Sequence, residues 1–409
     1  MRDFVRKSVM SGVVAAAALL GCAGPAVAGT VTMGTADSGN LLGYGTGLSC
    51  ASPAACLSVG TDVNAKGSSI KPAVERLHAG TWKSVPVKTP KGALSTMLTG
   101  VSCKSATYCL AVGETDSISG GSPYALRWDG TALTPIAGPP MPKADTGGVI
   151  SAVSCVAVGK CVAVGTGSNK TTDASVQFIW TLNGTKWTLT AKPAANQSTD
   201  TEYTGLNCLS LTSCVVIGDS VDLTSGADTP AAASWNGTKF TNLKAPQLTG
   251  ASDATFDAVS CGSARSCAVA GQAYTDSTDT DSLGFAEVWN GATWTVTKWS
   301  GSTGDTMTAL LDVSCPLAIR CIAVGVHGTA KTAAAAALAW NGAKWTVLKV
   351  PGAGAGKAAL FASVSCPVNG RCVVTGETGK AGSANAAVTP IAGYWNGRAW
   401  QYGPMFPAA

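Results

Sequence analysis

The sequence predicts an all-β fold: a seven-bladed β-propeller with four antiparallel strands per blade and one disulfide within each blade. Three observations carry that prediction. The first is a text written Val101-Ser102-Cys103, five residues, Cys109, three residues, Gly113, which recurs with small variations seven times, its first cysteines 51 to 54 residues apart. A fixed period of this size marks a repeat architecture. The second is a Trp-Asn-Gly-x-x-Trp landmark later in each repeat, as at Trp289-Asn290-Gly291 with Trp294. The third is a gradient of residue size, small around the cysteines and large around the second landmark.

Residues 1–28 read as a secretion signal. Arg2, Arg6 and Lys7 form its basic start, Val9 to Leu20 its apolar run, and Ala26-Val27-Ala28 a cleavage site. A competing reading takes Leu19-Leu20-Gly21-Cys22 as a lipoprotein box, with Cys22 lipidated as the mature N-terminus. A linker over 29–40 then leads into the propeller over 41–409. No later stretch has 18 consecutive apolar residues, so no transmembrane span is expected. The predicted location is extracellular, either free or lipid-anchored at the cell surface.

Cysteine parity agrees with export. Of 15 cysteines, 14 fall into seven pairs, and Cys22 lies in the signal. The pairs are Cys50 with Cys56, Cys103 with Cys109, Cys155 with Cys161, Cys208 with Cys214, Cys261 with Cys267, Cys315 with Cys321 and Cys366 with Cys372. An exported chain with evenly paired cysteines reads as a disulfide framework. Structural zinc sites use closer spacings with four converging ligands, so these pairs are not expected to bind metal. The chain is 12% charged with a formal net charge of +5, and the three bases and one acid of residues 1–28 leave +3 for the remainder. No basic run interleaves with aromatics, so nucleic acid is not an expected partner.

Each repeat offers four strands, A to D. In the second they are expected at about 96–103, 109–115, 124–128 and 131–136, so that strand A ends on the first cysteine and strand B begins on the second. The cysteine pair is then expected to staple strand A to strand B, its two members facing each other across a non-hydrogen-bonded antiparallel pair. Asn-Gly between apolar runs signals the C–D hairpin, and the turn that favours it, type I′, needs positive φ at both central residues. Four short strands in about 50 residues match a propeller blade. A helical solenoid would need a 3.6-residue apolar pattern that no repeat has, and an immunoglobulin module would need about 100 residues. Small residues in A and B, with Trp near the C–D turn, suit blades that crowd at the axis and widen outward. Because the chain starts just before an A strand and ends after a D strand, the ring is expected to close without an exchanged strand, as a monomer.

In such a fold the A–B and C–D turns share one face, which holds the regular features. The B–C and D–A loops share the other, where the sequence varies, and function usually resides in variable loops on a rigid frame. That variable face is the expected binding face. Glu114, Asp219, Gln272 and Glu377 each follow the repeated Gly and are expected at the mouth where strand B ends, with Asp62 one position later. Asp257 and Asp312 are expected late on strand A, near the channel. Converging carboxylates of this kind can hold a sugar or act as acid and base in glycoside cleavage. Glu114, Asp219, Glu377, His327 and Tyr274 are the catalytic candidates. Asp276, Asp279 and Asp281 form an oxygen-rich loop able to hold a structural calcium ion, although EF-hand spacing is absent. No other cofactor is expected.

The Gly-x-x-Trp half of the second landmark resembles the Asp-box of sialidase-type propellers, although the box's Ser and Asp are missing. The arginine triad that this resemblance would imply is not available, because Arg265, Arg320 and Arg371 fall inside Cys loops and Arg398 in a turn on the same face. Kelch repeats are similar in length but have an adjacent glycine pair that is not repeated here. Taken whole, residues 41–409 resemble the secreted, Cys-stapled propeller repeats of actinobacteria. The functional expectation is a secreted or surface binding module for a glycan, peptide or protein. The alternative is an extracellular glycoside hydrolase or polysaccharide lyase working through channel-mouth carboxylates.

Overall fold

The computed structural model describes residues 41–64, 70–118, 120–172, 174–193, 199–245, 248–275, 281–329, 331–382 and 388–405. The signal segment, Cys22, the linker over 29–40, Asp276 and Asp279 lie outside the described residues.

Among the described residues, all the regular structure is β. Blade 1 contains β1 (Leu41–Ser52), β2 (Ala55–Asn64), β3 (Ile70–His78) and β4 (Thr81–Ser84). Blade 2 contains β5 (Ser95–Ser105), β6 (Tyr108–Ser117), β7 (Gly120–Trp128) and β8 (Leu133–Ile136). Blade 3 contains β9 (Asp145–Ala157), β10 (Lys160–Asn169), β11 (Ser175–Asn183) and β12 (Lys186–Ala191). Blade 4 contains β13 (Thr199–Ser210), β14 (Ser213–Asp222), β15 (Asp228–Trp235) and β16 (Phe240–Asn242). Blade 5 contains β17 (Asp253–Ser263), β18 (Ser266–Tyr274), β19 (Ser282–Trp289) and β20 (Trp294–Trp299). Blade 6 contains β21 (Met307–Leu317), β22 (Arg320–Gly328), β23 (Ala334–Trp340) and β24 (Trp345–Val347). Blade 7 contains β25 (Lys357–Val368), β26 (Arg371–Lys380), β27 (Thr389–Trp395) and β28 (Trp400–Pro404). Within each blade the strands pair antiparallel in chain order, and a single parallel pairing of Ile70 with Ser95 joins blades 1 and 2.

The repeated Gly has a specific cause. Strand A bulges between Leu98 and Gly100, and Gly113 pairs with Leu98 at that bulge. A Cβ on Gly113 would lie 2.0 Å from the Met97 carbonyl oxygen, and the same crowding recurs at Gly165, Gly218, Gly271, Gly325 and Gly376. The bulged strand folds its carbonyl over strand B, and only a residue without a side chain fits beneath it.

The Ser before the first Cys has an equally specific role. The Cys103 N–H donates to Ser49 Oγ of the preceding blade at 2.9 Å, and Cys155 to Ser102 likewise at 2.9 Å. The pattern continues from Cys208 to Ser154, Cys261 to Asn207 Oδ1, Cys315 to Ser260 and Cys366 to Ser314. Cys50 closes it by donating to Ser365 of blade 7 at 3.0 Å. Seven hydrogen bonds of one type therefore run around the axis, and each satisfies a strand-edge donor that would otherwise be unpaired. The inner strands β1, β5, β9, β13, β17, β21 and β25 touch in sequence, and β25 touches β1. Each blade is built from one continuous stretch of chain, so the ring closes without an exchanged strand.

The cysteines form the seven expected disulfides, with Cα atoms 3.9 to 4.0 Å apart in every one. They face each other across the A–B strand pair as expected, and only the strand bounds around them differ. Strand A runs two residues past its cysteine, to Ser105 in blade 2, and strand B begins one residue before its own, at Tyr108. The same offset holds in all seven blades. Cys56, Cys109, Cys161, Cys214, Cys267, Cys321 and Cys372 are therefore each the second residue of strand B and not its start. All seven are buried. The disulfide lies inside the ladder, so the chain between the strands shortens to a two-residue turn. The reason is that a cysteine pair needs facing Cβ atoms, which a paired strand supplies and a loop end does not.

The core lies between blades. Leu110 and Val112 of blade 2 pack with Ile150, Phe178 and Trp180 of blade 3, while Leu48 and Trp82 of blade 1 pack with Val373 and Met405 of blade 7. Cys155 and Cys161 belong to the first of these clusters, and Cys50 and Cys56 to the second. Outer aromatic side chains also fasten the D–A linker of the preceding blade: Tyr124 Oη donates to Lys88 O, Trp180 Nε1 to Pro140 O and Tyr402 Oη to Pro351 O.

The C–D turn is a second correction. The landmark does form that hairpin, but not through a type I′ turn. Trp289 pairs with Trp294, leaving four residues in the loop, and only the glycine, Gly291, has positive φ. Asn290 stays in ordinary backbone space, and its Oδ1 accepts the N–H groups of Ala292 and Thr293 at 2.9 Å each. Asn is therefore selected for its side-chain acceptor, which caps the loop. Blade 1, which lacks Asn, does have positive φ at two adjacent residues, Ala79 and Gly80.

Candidate functional site

The strand-B positions after the repeated Gly are not at the mouth. Strand B runs on past the glycine in every blade, so Glu114, Asp219, Gln272 and Glu377 lie mid-strand, paired on both sides. The glycine marks the bulge and not the strand end, which is the reason for the difference. Asp219, Gln272 and Glu377 are 3%, 2% and 5% exposed, whereas Glu114 is half-buried. Asp62 is also half-buried, and burial pushes its pKa up to about 6 against the opposing charge of Lys71.

Asp219 belongs to a buried carboxylate nest at the boundary of blades 4 and 5. It faces Glu202 directly across the β13–β14 pair, and Asp200, Asp228 and Asp257 add negative charge nearby. Burial, reinforced by these like charges, raises Glu202 and Asp219 to about 8 each. Glu202 Oε2 and Asp219 Oδ2 are enclosed without a hydrogen-bond partner. Both acids are therefore uncharged at neutral pH. Asp257 occupies the bulge of β17, between Phe256 and Ala258, and its pKa is likewise driven up by burial. The sequence points to Asp219 and Asp257 here but not to Glu202, whose position on strand A follows no repeat rule.

Asp312, one residue past the corresponding bulge of β21, is a clasp. Its Oδ2 accepts from Ser363 Oγ at 2.6 Å and from the Val364 N–H at 2.7 Å, both in blade 7, and its Oδ1 accepts its neighbour Val313 N–H at 2.7 Å. Three donors occupy this carboxylate, so it holds blade 6 to blade 7. Both Asp257 and Asp312 thus sit mid-strand on the innermost strands and not late on them. Among the described residues, no group of three or more His, Cys, Asp or Glu side chains is arranged to hold a metal ion.

On the variable face the geometry is more open. His327 lies near the end of β22, and its Nδ1 is 2.8 Å from Asp305 Oδ2 in the loop that leads into blade 6. The Ser302 N–H donates to the same oxygen at 2.6 Å. The ring of Trp299, at the end of β20, meets the His327 ring edge-on with centroids 5.7 Å apart. Trp299 and His327 are both partly exposed. Tyr274 closes the same layer. It pairs with Ser282 across blade 5, Ser282 bonds to Thr308, and Thr308 pairs with His327 across blade 6. Of this group the sequence singles out Tyr274 and His327. Trp299 escapes notice because strand D has no repeated aromatic there, and Asp305 because the D–A linkers follow no common pattern.

A second feature lies in blade 2. Glu114 and Asp116, both half-buried, point to one side of β6 and flank Gly121. Asp116 Oδ1 and Glu114 Oε2 lie 2.9 and 3.7 Å from where a Cβ on Gly121 would stand. Ser95 Oγ donates to Asp116 Oδ2 at 2.9 Å.

No family model and no curated protein matches the chain. Among solved structures, an acylaminoacyl peptidase in complex with Z-Gly-Gly-Phe-chloromethyl ketone is similar over 89% of this chain and 52% of its own, at 9% identity and a TM-score of 0.52. The Pyrococcus horikoshii acylaminoacyl peptidase is similar over 87% and 51%, at 8% identity and a TM-score of 0.49. Hadza microbial sialidase Hz136 is similar over 89% and 68%, at 10% identity and a TM-score of 0.46. The chain spans about half the length of the two peptidases. Identities this low bear on fold alone.

Proposed function

We propose that the chain is an exported, non-enzymatic recognition module that binds a carbohydrate on its variable face, at the seam of blades 5 and 6. The observation that carries this reading is the group of Trp299, His327 and Asp305. A partly exposed indole gives a sugar ring an apolar platform, and a His–Asp pair beside it offers polar atoms already fixed in place. The frame beneath is stapled and closed, which reduces the ordering cost of binding. Seven disulfides and the signal-like residues 1–28 support export, as does the resemblance to secreted Cys-stapled repeats. The test is retention on a glycan microarray followed by titration of the best ligand. Trp299→Ala should weaken binding by roughly 30-fold, as expected for loss of an aromatic anchor, and His327→Ala should weaken it as well. Unchanged affinity in both variants would remove the seam as the site.

One observation favours a second reading, a carbohydrate-active enzyme. Glu114 and Asp116 are two half-buried carboxylates on one side of β6, both close to Gly121. Paired carboxylates are the machinery of glycoside cleavage. The other acids do not support this reading, because Asp219 and Glu377 are buried beyond the reach of a polymer.

A further inference from the structure

We propose that the opposite face, formed by the Cys loops and the C–D turns, docks on an anionic lipid bilayer. The charge on this face is nearly all basic, whereas large apolar side chains are exposed on both faces, Leu94, Ile118 and Leu223 being on the variable one. The Cys loops contain Lys104, Lys160, Arg265, Arg320 and Arg371, and no acid. The C–D turns add Lys186, Lys239, Lys344 and Arg398 against one acid, Asp129. That carboxylate is already engaged, accepting from the Thr131 and Ala132 N–H groups and from the Thr131 hydroxyl. The Lys192–Asp145 ion pair lies on the variable side.

The same loops expose large apolar side chains. Val158, Ile319, Leu317, Val368 and Leu209 are between 44% and 61% exposed, and all five lie in Cys loops. In three blades an exposed tip has a base close by in sequence: Val158 with Lys160, Ile319 with Arg320, and Val368 with Arg371. Apolar tips beside bases are suited to a bilayer interface, where the tips enter the headgroup layer and the bases meet lipid phosphates.

The shape selects a lipid surface over an acidic peptide. Every Cys loop has the same six-residue span between its disulfide-linked ends, so the tips reach similar heights around the ring. A plane can meet them together, whereas a peptide needs a groove. The crevice between blades 1 and 2 on this face, lined by Cys56, Arg76, His78, Ala106 and Trp128 among others, contains none of the five exposed tips. The staples also keep the loops from folding their apolar residues away.

The experiment is flotation of the purified chain with phosphatidylcholine vesicles, alone or with 30% phosphatidylglycerol, at low and high salt. Capture by the anionic vesicles only, weakened by salt, is the expected result. Each base near such a surface raises partitioning about fivefold, so Arg320→Glu with Arg371→Glu should reduce capture at least about 25-fold while glycan retention on the other face is unchanged. Ile319→Ser with Val368→Ser should reduce capture at every salt concentration. Equal capture by neutral vesicles, no capture at all, or wild-type capture by the double charge variant would overturn the proposal. Binding of soluble polyglutamate without vesicle capture would overturn it in favour of an acidic protein partner.

Discussion

Replacing Glu202 with Gln should make the protein more stable at neutral pH, and by an amount that grows with pH. Glu202 and Asp219 face each other across β13 and β14, and burial, reinforced by neighbouring acids (Asp219, Asp200 and Asp228 for Glu202, Asp228 and Asp200 for Asp219), lifts both to about 8, from ordinary values of 4.5 and 3.8. Well below pH 4 both groups carry protons in the folded and unfolded chain alike, and neither affects the balance. As pH rises past the unfolded value, the unfolded chain releases its proton while the folded chain keeps it. Each such group then lowers stability by about 1.4 kcal/mol per pH unit until its folded pKa is reached near 8. Gln cannot titrate, so Glu202→Gln should gain about 1.4 kcal/mol per unit on the wild type, about 3 kcal/mol between pH 5 and 7. Adding Asp219→Asn should gain less than a second full increment, because losing one partner already relieves the other. The assay is urea denaturation with disulfides intact at pH 5, 6 and 7. Parallel pH profiles for wild type and variant would refute the reasoning, as would wild-type stability that rises across this window.

Other outcomes follow from the frame. Gly113→Ala places a methyl 2.0 Å from the Met97 carbonyl oxygen and should cost about 3 kcal/mol or more, whereas Gly403→Ala, with nothing within 4 Å, should be near neutral; thermal melts of the pair decide it. Ser365→Ala removes the acceptor for the Cys50 N–H that closes the ring and should cost about 1–3 kcal/mol, read from the same melts. Thiol titration of the unreduced protein should find no reactive cysteine within 50–409, and full reduction should cost at most about 2.4 kcal/mol for each short loop. Seven or more free thiols would contradict the staple assignment.

The frame was legible because repetition multiplies weak signals. A single Cys-x5-Cys or Asn-Gly says little, but seven copies in step define strand order, hairpin positions and the two faces. The sequence also contained, unread, the reasons for its most regular residues. The Ser before Cys is the inter-blade acceptor, and the Gly after it makes room for a bulge. The cross-strand staple is legible in the spacing, and only the strand bounds fall short, because strand B begins one residue before Cys109 and its counterparts Cys56, Cys161, Cys214, Cys267, Cys321 and Cys372. Taking the Gly for a strand end placed Glu114, Asp219, Gln272 and Glu377 at the mouth, when the bulge had only shifted the register by one residue. Asp312 read as a channel ligand because its partners, Ser363 and Val364, lie about 50 residues away and no local pattern announces them. Trp299 and Asp305 were invisible for a related cause. They come from a strand end and a linker that differ in every blade, and only closure of the ring brings them beside His327.

The central claim is recognition without turnover, with Asp219, Asp257, Asp312 and Glu377 serving as buried structure. Incubation of the purified chain with a polysaccharide panel, scored for retention and for new reducing ends or unsaturated products, tests it most directly. Retention of at least one polysaccharide with no product above the buffer control is the predicted result. Product release that is abolished by Glu114→Gln would contradict the claim and place catalysis in blade 2.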